Sequence, residues 1–351
     1  MSDHLRAVLD CAGNQRCLLP SGLTVLVRPM PGYAAAHAIV AARFGSIDVH
    51  FRLGDQELTL PAGVAHYLEH KMFEDQEGDA FAKFARTGAN ANAFTSFDRT
   101  CYYFTATSQV EESLDVLLEM VTHPYFTPET VAKEQGIIAQ EIKMYEDSPD
   151  WRLITELCQC LYHSHPIRSD IAGTCESIAR ITPGMLYDCC RAFYAPSNLV
   201  LCCLCGGMSG LYRRLYDQGL VNPGFGGEVL RVDGCCCILF TGESDQPDTV
   251  RQLLLEEIER IRSQGVDREI FTLCKNEKYG QLVENLENVE DAASQMADFA
   301  LLGQTVAQQI EMLAGLTAED ADQAMQGILR PERMAYVKIL PGEAGAGTEE
   351  E

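Results

Sequence analysis

Gly63-Val64-Ala65-His66-Tyr67-Leu68-Glu69-His70 is the stretch on which the reading of this chain turns. Val64, Leu68 and Met72 recur every four residues with Ala65 beside them, so the spacing predicts a helix with an apolar stripe. Pro61 suits its first turn, where a missing N–H costs nothing. On such a helix His66 and His70 stand about 40° apart around the axis, one turn above the other. Glu69 follows His66 by three residues and precedes His70, so its carboxylate flanks the same face. Two imidazoles and a carboxylate in one patch are metal-site chemistry. The plainer alternative is an amphipathic helix with two surface histidines, and these residues alone leave both open.

A third donor is offered downstream, in Lys133-Glu134-Gln135-Gly136-Ile137-Ile138-Ala139-Gln140-Glu141-Ile142. Glu134 and Glu141 are seven apart, two helical turns less about 20°, so both carboxylates face one way. Ile137, Ile138 and Ile142 read as buried positions of that helix. Glu141 is then the candidate third ligand, and Glu134 a supporting carboxylate that orients a histidine ring or the ligand helix. Two solvated glutamates on an acidic protein are the alternative. The order H-x-x-E-H inverts the usual zinc-peptidase helix motif. In that logic His66 and His70 bind the metal. Glu69 stays free to take a proton from water whose pKa the metal has lowered.

Further blocks carry a resemblance. Lys71-Met72-Phe73-Glu74 continues the first motif. Asn90-Ala91-Asn92-Ala93-Phe94-Thr95-Ser96 and Thr100-Cys101-Tyr102-Tyr103-Phe104 form a second block. Glu134 to Glu141, ending in Asp147-Ser148-Pro149-Asp150-Trp151-Arg152, forms the third. In this order and spacing the chain resembles the pitrilysin, insulin-degrading enzyme and mitochondrial processing peptidase family, from about residue 18 to 205 and again from about 208 to 340. It is most similar to the single-half bacterial cytosolic members. The resemblance implies one zinc ion per chain held by His66, His70 and Glu141, with Glu69 as general base and Glu134 in support. It implies that Asn92 and Ala93, with Phe94 beside them, lie on an edge strand that pairs with the substrate backbone. That has a physical sense, because an open edge offers unpaired N–H and C=O groups to any extended peptide.

Composition sets the frame. The 351 residues suffice for two domains with their own cores. Hydrophobic residues are 46% and charged residues 22%, ordinary for a soluble globular chain, and no apolar run reaches membrane-span length. The first eleven residues include Asp3 and Asp10 and no apolar core, unlike a secretory signal. A net charge of −24 argues against nucleic acid as a partner and fits a cytoplasmic protein. Of the fifteen cysteines, Cys202 and Cys205 make one C-x-x-C, but on a strand residues three apart face opposite ways. With no second pair to complete a zinc site, the cysteines read as reduced, small core hydrophobes.

In chain order, strands are expected at Leu23–Arg28 and His37–Arg43 with a turn at Pro29–Gly32, then a loop from Gly45 to Pro61 holding His50. The metal helix should run to about Glu74, and a second helix from Asp79 to Arg86 should end at Gly88. A strand over Asn92–Ala106 precedes helices Val110–Thr122, Pro128–Tyr145, Trp151–Tyr162 and Pro183–Phe193 and a strand Asn198–Cys205. His163 and His165 read as loop histidines. Strands and helices in runs predict an α+β fold with a mainly antiparallel sheet. The family's α/β roll has this layout.

The expected domains are an N-terminal extension (1–17), a catalytic domain (18–205), a shortened second copy (206–341) and a disordered tail (342–351). In the second copy a helix Leu211–Gln218 follows Gly206 directly, then a strand Cys235–Phe240, helices Thr249–Gln264 and Asp267–Leu286, two or three helices over Val289–Gln326, and a last strand Met334–Ile339. The opening strands of the family's second copy are missing, either through natural shortening or through loss of an internal segment. The family encloses substrate between two halves, so the resemblance implies a second copy or a related chain as partner. The function expected is zinc-dependent hydrolysis of unfolded peptides or small precursors. The alternatives are a non-catalytic peptide-binding or partner subunit, and a zinc that is structural only.

Overall fold

A computed structural model of the chain describes residues 8–9, 15–28, 35–76, 78–202, 226–286, 289–330 and 333–339. The strands are β1 (Val8–Leu9), β2 (Gln15–Leu18), β3 (Thr24–Val27), β4 (Ala36–Ala42), β5 (His50–Leu53), β6 (Gln56–Thr59), β7 (Glu74–Asp75), β8 (Gly78–Asp79), β9 (Asn90–Thr95), β10 (Thr100–Ala106), β11 (Leu199–Cys202), β12 (Gly226–Val232) and β13 (Cys235–Thr241). The helices are α1 (Val64–Met72), α2 (Ala80–Thr87), α3 (Val110–Thr122), α4 (Pro128–Glu146), α5 (Pro149–Leu161), α6 (Cys175–Ile178), α7 (Pro183–Phe193), α8 (Pro247–Gln264), α9 (Arg268–Glu284), α10 (Val289–Leu301), α11 (Val306–Gly315) and α12 (Ala318–Ile328).

Seven strands make one sheet in the order β1-β2-β3-β11-β4-β10-β9. Only the β11–β3 pairing is parallel; the others are antiparallel, so the fold is α+β as the element order implies. Central strand β4 is apolar apart from His37, which bonds Thr105, because both of its faces are covered. Ala38, Val40 and Ala42 point into a core with Tyr102, Phe104 and helices α1, α3, α4 and α7. Ile39 and Ala41 point the other way, onto Ala292, Ala293, Met296 and Ala297 of α10. The period of two along β4 thus splits the core into two layers. Among the described residues β9 has a neighbour on one side only, β10, so its other side is a sheet edge.

Several expectations are corrected. The stretch Asn92–Ala106 is not one strand but the hairpin β9–β10, broken where the Ser96 N–H donates to the Arg99 carbonyl around Phe97-Asp98. Apolar Phe97 masked that turn. The segment 45–61 is not all loop: His50 sits on the hairpin β5–β6, turned at Gly54 with φ +61°. Helix α1 stops at Met72, and Glu74 enters the small β7–β8 hairpin. Ile137 is 48% exposed, unlike Ile138 and Ile142. Residues 334–339 pair with no described strand, and β12, absent from the expectation, pairs with β13. The turn at Pro29–Gly32, helix Leu211–Gln218, Cys205, the domain junction near Gly206, most of the N-terminal extension and the tail lie outside the described residues.

The entry to α1 is set by a close crossing of two chain segments. Gly63 caps the helix at φ +89°, and a Cβ there would stand 2.4 Å from the Ala172 carbonyl oxygen. Reciprocally, Gly173 has φ +76°, and its Cβ would stand 2.5 Å from the Ala62 oxygen. The Ser177 hydroxyl donates to that Ala62 oxygen at 2.7 Å. A side chain at Gly63 therefore meets backbone on one side and a left-handed conformation on the other. Gly63→Ala is expected to cost about 2–4 kcal/mol of stability, read as a lower urea midpoint at unchanged slope. An unchanged midpoint would mean that the two segments separate without cost.

Candidate metal centre

Helix α1 is not a surface helix: eight of its nine residues are buried, including His66 at 7% exposure and Glu69 at 9%. That removes the reading of two surface histidines. Lys71 is fully buried and pairs with Glu74. Helix α4 starts at a capping box, Thr127 with Thr130, and carries Pro128 in its first turn. It packs on α1 through Val131, Ile138 and Ile142, and the Tyr67 hydroxyl donates to the Val131 carbonyl. This contact turns the Glu134–Glu141 face toward the two histidines.

The donor atoms converge. His66 Nε2 lies 3.6 Å from Glu141 Oε1, and His70 Nε2 lies 3.4 Å from Glu141 Oε2. The two imidazole rings are 4.7 Å apart, and one donor atom from each of the three residues falls within 4.8 Å of the others. A small divalent ion bound at about 2.0–2.1 Å spaces its ligand atoms about 3.3–3.4 Å apart, so the two histidine–Glu141 separations are close to what such an ion needs. Nitrogen, nitrogen and carboxylate oxygen also suit a transition metal better than magnesium or calcium.

Supporting contacts orient these groups. His70 Nδ1 lies 3.1 Å from Glu134 Oε1, which fixes the ring and leaves Nε2 toward Glu141. The Tyr145 hydroxyl donates to Glu141 Oε1 at 2.8 Å. Tyr145 stacks on Trp151 at 5.1 Å, and Trp151 Nε1 donates to Asp170. The Thr95 hydroxyl donates to Glu69 Oε2 at 2.8 Å. His66 Nδ1 is buried and meets no acceptor among the described residues. Sequence reasoning gave Tyr145 and Thr95 no role. Tyr145 was within reach, since it stands one turn beyond Glu141. Thr95 was not, because only the folded hairpin brings it to α1.

Electrostatics follow from this geometry. Burial disfavours a charged His70, but hydrogen bonds to Glu134 and Glu141 outweigh it and raise its pKa to about 10. Glu141 is held far below the usual carboxylate range, first by His66 and then by His70. Glu134 is lowered chiefly by its bond to His70. Tyr145 is raised to about 12 by burial and by its bond to Glu141.

Asn92, Ala93 and Phe94 lie on edge strand β9, which packs on α1. Because the Ser96–Arg99 pair is hydrogen-bonded, alternation turns the N–H and C=O of Ala93 and Thr95 to the open side. There the Ala93 N–H is met by the Asn92 side-chain oxygen at 2.9 Å. Asn92 and Phe94 are exposed. The loop histidines stand apart: His165 receives the Ile167 N–H and lies 2.8 Å from the Asp233 carbonyl. His50 bonds Thr59. Cys101, Cys158, Cys189 and Cys235 are free and buried, as small core side chains.

With the site in place, the similarities to known proteins can be stated. Residues 52–175 match the family model described as Insulinase (Peptidase family M16). The uncharacterized zinc protease YmfH of Bacillus subtilis is 31% identical over 413 positions, covering 92% of this chain and 95% of that protein. The crystal structure of an M16-like peptidase from Alicyclobacillus acidocaldarius superposes with TM-score 0.83 at 30% identity, over 90% of this chain and 95% of that one. Pitrilysin shares the fold, with TM-score 0.68 at 15% identity; this chain spans 45% of its length.

Because His70 holds its proton to about pH 10 in the metal-free protein, a metal ion must displace that proton. Titration of the metal-free protein with Zn2+ near pH 7 is expected to release protons, and the apparent affinity to rise with pH toward tenfold per unit. Calorimetry in buffers of different ionisation enthalpy reads this release. Uptake without any released proton would contradict the protonated His70.

Proposed function

The chain belongs to the insulinase family of peptidases, family M16, and from that premise we propose that it is a zinc-dependent endopeptidase acting on unfolded peptides or small precursors. The observation that carries this reading is the convergence of His66, His70 and Glu141 with Glu69 beside them and an open sheet edge alongside. His66, His70 and Glu141 would hold a zinc ion, which when bound would supply a Lewis acid to acidify water and polarise a carbonyl. Glu69, with Oε2 taken by Thr95, has Oε1 to accept the water's proton and later deliver it to the leaving amine. Glu134 keeps His70 in the orientation the site needs. Asn92, Ala93 and Phe94 receive the substrate as an added strand, with Ala93 offering its backbone groups.

The later part of the chain is read as a shortened second copy, from about residue 206 to 341, after a catalytic domain over 18–205. The 413-position match with YmfH, longer than the 351 residues here, supports this: the relative has residues without counterparts in this chain. A second copy or a related chain completes the substrate chamber and supplies the groups that steady the reacting carbonyl. Among the described residues no helix is long and apolar enough to cross a membrane. The cytoplasm is the proposed location, in keeping with the buried thiols.

The rival reading, a subunit that binds peptide without cutting it, is separated by cleavage. Wild type is expected to cleave an internally quenched peptide, to lose activity with chelator and to regain it with zinc. Glu69→Gln should keep one zinc per chain while cleavage falls at least about a thousandfold, an upper-range general-base effect. His66→Ala should lose both zinc and activity. Cleavage by Glu69→Gln at the wild-type rate would refute the assignment of the base.

A further inference from the structure

We infer that Thr95 is a positioning residue for Glu69, tying the base to the strand that receives the substrate; this rests on the peptidase reading above. Glu69 is 9% exposed, and a carboxylate so buried needs a hydrogen-bond donor to satisfy and orient it. The Thr95 hydroxyl supplies one at 2.8 Å, to Oε2. Thr95 comes from a different element, the last residue of β9, twenty-six positions along the chain from Glu69. It follows Ala93 by two residues, so both side chains project from one face of the strand while their backbone groups open to the free edge.

The hydroxyl therefore joins two things that must agree in position: the strand on which a peptide is laid and the carboxylate that moves its proton. A β-branched side chain suits this task, because its χ1 is restricted on a strand and the donor is held ready. The hairpin carrying it is fixed at its turn as well, where Arg99 pairs with Asp298 of α10 at 2.9 Å. With Oε2 occupied by Thr95, the carboxylate cannot rotate freely, and Oε1 keeps one orientation. Loss of the hydroxyl leaves the strand and its backbone groups intact but frees the carboxylate. The effect should fall on turnover and not on peptide or zinc binding.

Thr95→Val preserves shape and β-branching and removes the donor. Its kcat on a quenched peptide is expected to fall about tenfold to a hundredfold, the range of a hydrogen bond to a charged group. KM, zinc content and thermal midpoint should stay at wild-type values. Thr95→Ser, which restores the donor without the methyl, should return kcat to within a few-fold, and Thr95→Ala should behave like Thr95→Val. Should either Val or Ala fail to fold, the other together with Ser carries the comparison. Unchanged kcat in a folded, zinc-loaded Val or Ala variant overturns the inference. So does a loss that appears as raised KM or lost zinc and is not rescued by Ser, since that is a structural role. If wild type itself shows no zinc-dependent cleavage, the peptidase reading fails first and this inference falls with it.

Discussion

The packing of α1 against α4 is the contact on which the site depends. A helix of nine residues has little stability of its own in water, so α1 exists because the core surrounds it. Leu68 and Met72 lie in the same cluster as Ile138 and Ile142, and this apolar contact sets which face of α4 meets the histidines. That apolar contact brings the donors within one ion's reach. The electrostatic cost is visible in the same place. Glu69, Glu134 and Glu141 crowd two imidazoles, and His70 answers by holding a proton. A divalent cation bound there would take over that balancing role with two charges, so the arrangement that raises the imidazole's pKa also suits a metal.

How much of this was legible in the sequence depends on how local each signal was. The α1 and α4 motifs were readable because helical periodicity converts spacing into direction, and Glu141 could be aligned with His66 and His70 before any fold was known. The Asn92 segment was readable as an edge strand only through family resemblance, since nothing in Asn90–Thr95 says which strand lies at the end of a sheet. The hairpin turn at Phe97-Asp98 escaped because its apolar residue continued the strand pattern. The β5–β6 hairpin escaped because four-residue strands carry too few alternations to register. Thr95 and Tyr145 differ in the same way: the second acts within one helix turn, the first across a fold.

The division of the chain near residue 206 also looks different once packing is considered. Helix α10, far along the chain, covers the second face of the main sheet with alanines at 292, 293 and 297, which let it approach β4 and β11 closely. Polar links reinforce the contact: Arg99 holds Asp298, Arg43 donates to the Leu301 carbonyl, and Thr105 donates to Glu290 at 2.9 Å. Burial raises Asp298 to about pKa 6 in spite of Arg99. The later segment thus completes the core of the earlier one, and sequence alone gives no sign of a helix that packs on strands formed so much earlier in the chain.

An open sheet edge beside a reactive centre is also a hazard, because any extended segment can add to it. On β9 the hazard is reduced locally. Asn92 folds its own carboxamide back onto the Ala93 N–H, so one donor on the open edge is already satisfied. The neighbouring residue Phe94 remains exposed, and α1 packs behind the strand. A peptide entering as an added strand, as proposed, would exchange the Asn92 oxygen for its own carbonyl at that N–H, a like-for-like hydrogen bond with little net gain by itself. On the proposed reading, selection among extended peptides would then rest on side-chain contacts around Phe94 and on whether the scissile carbonyl reaches His66, His70 and Glu141.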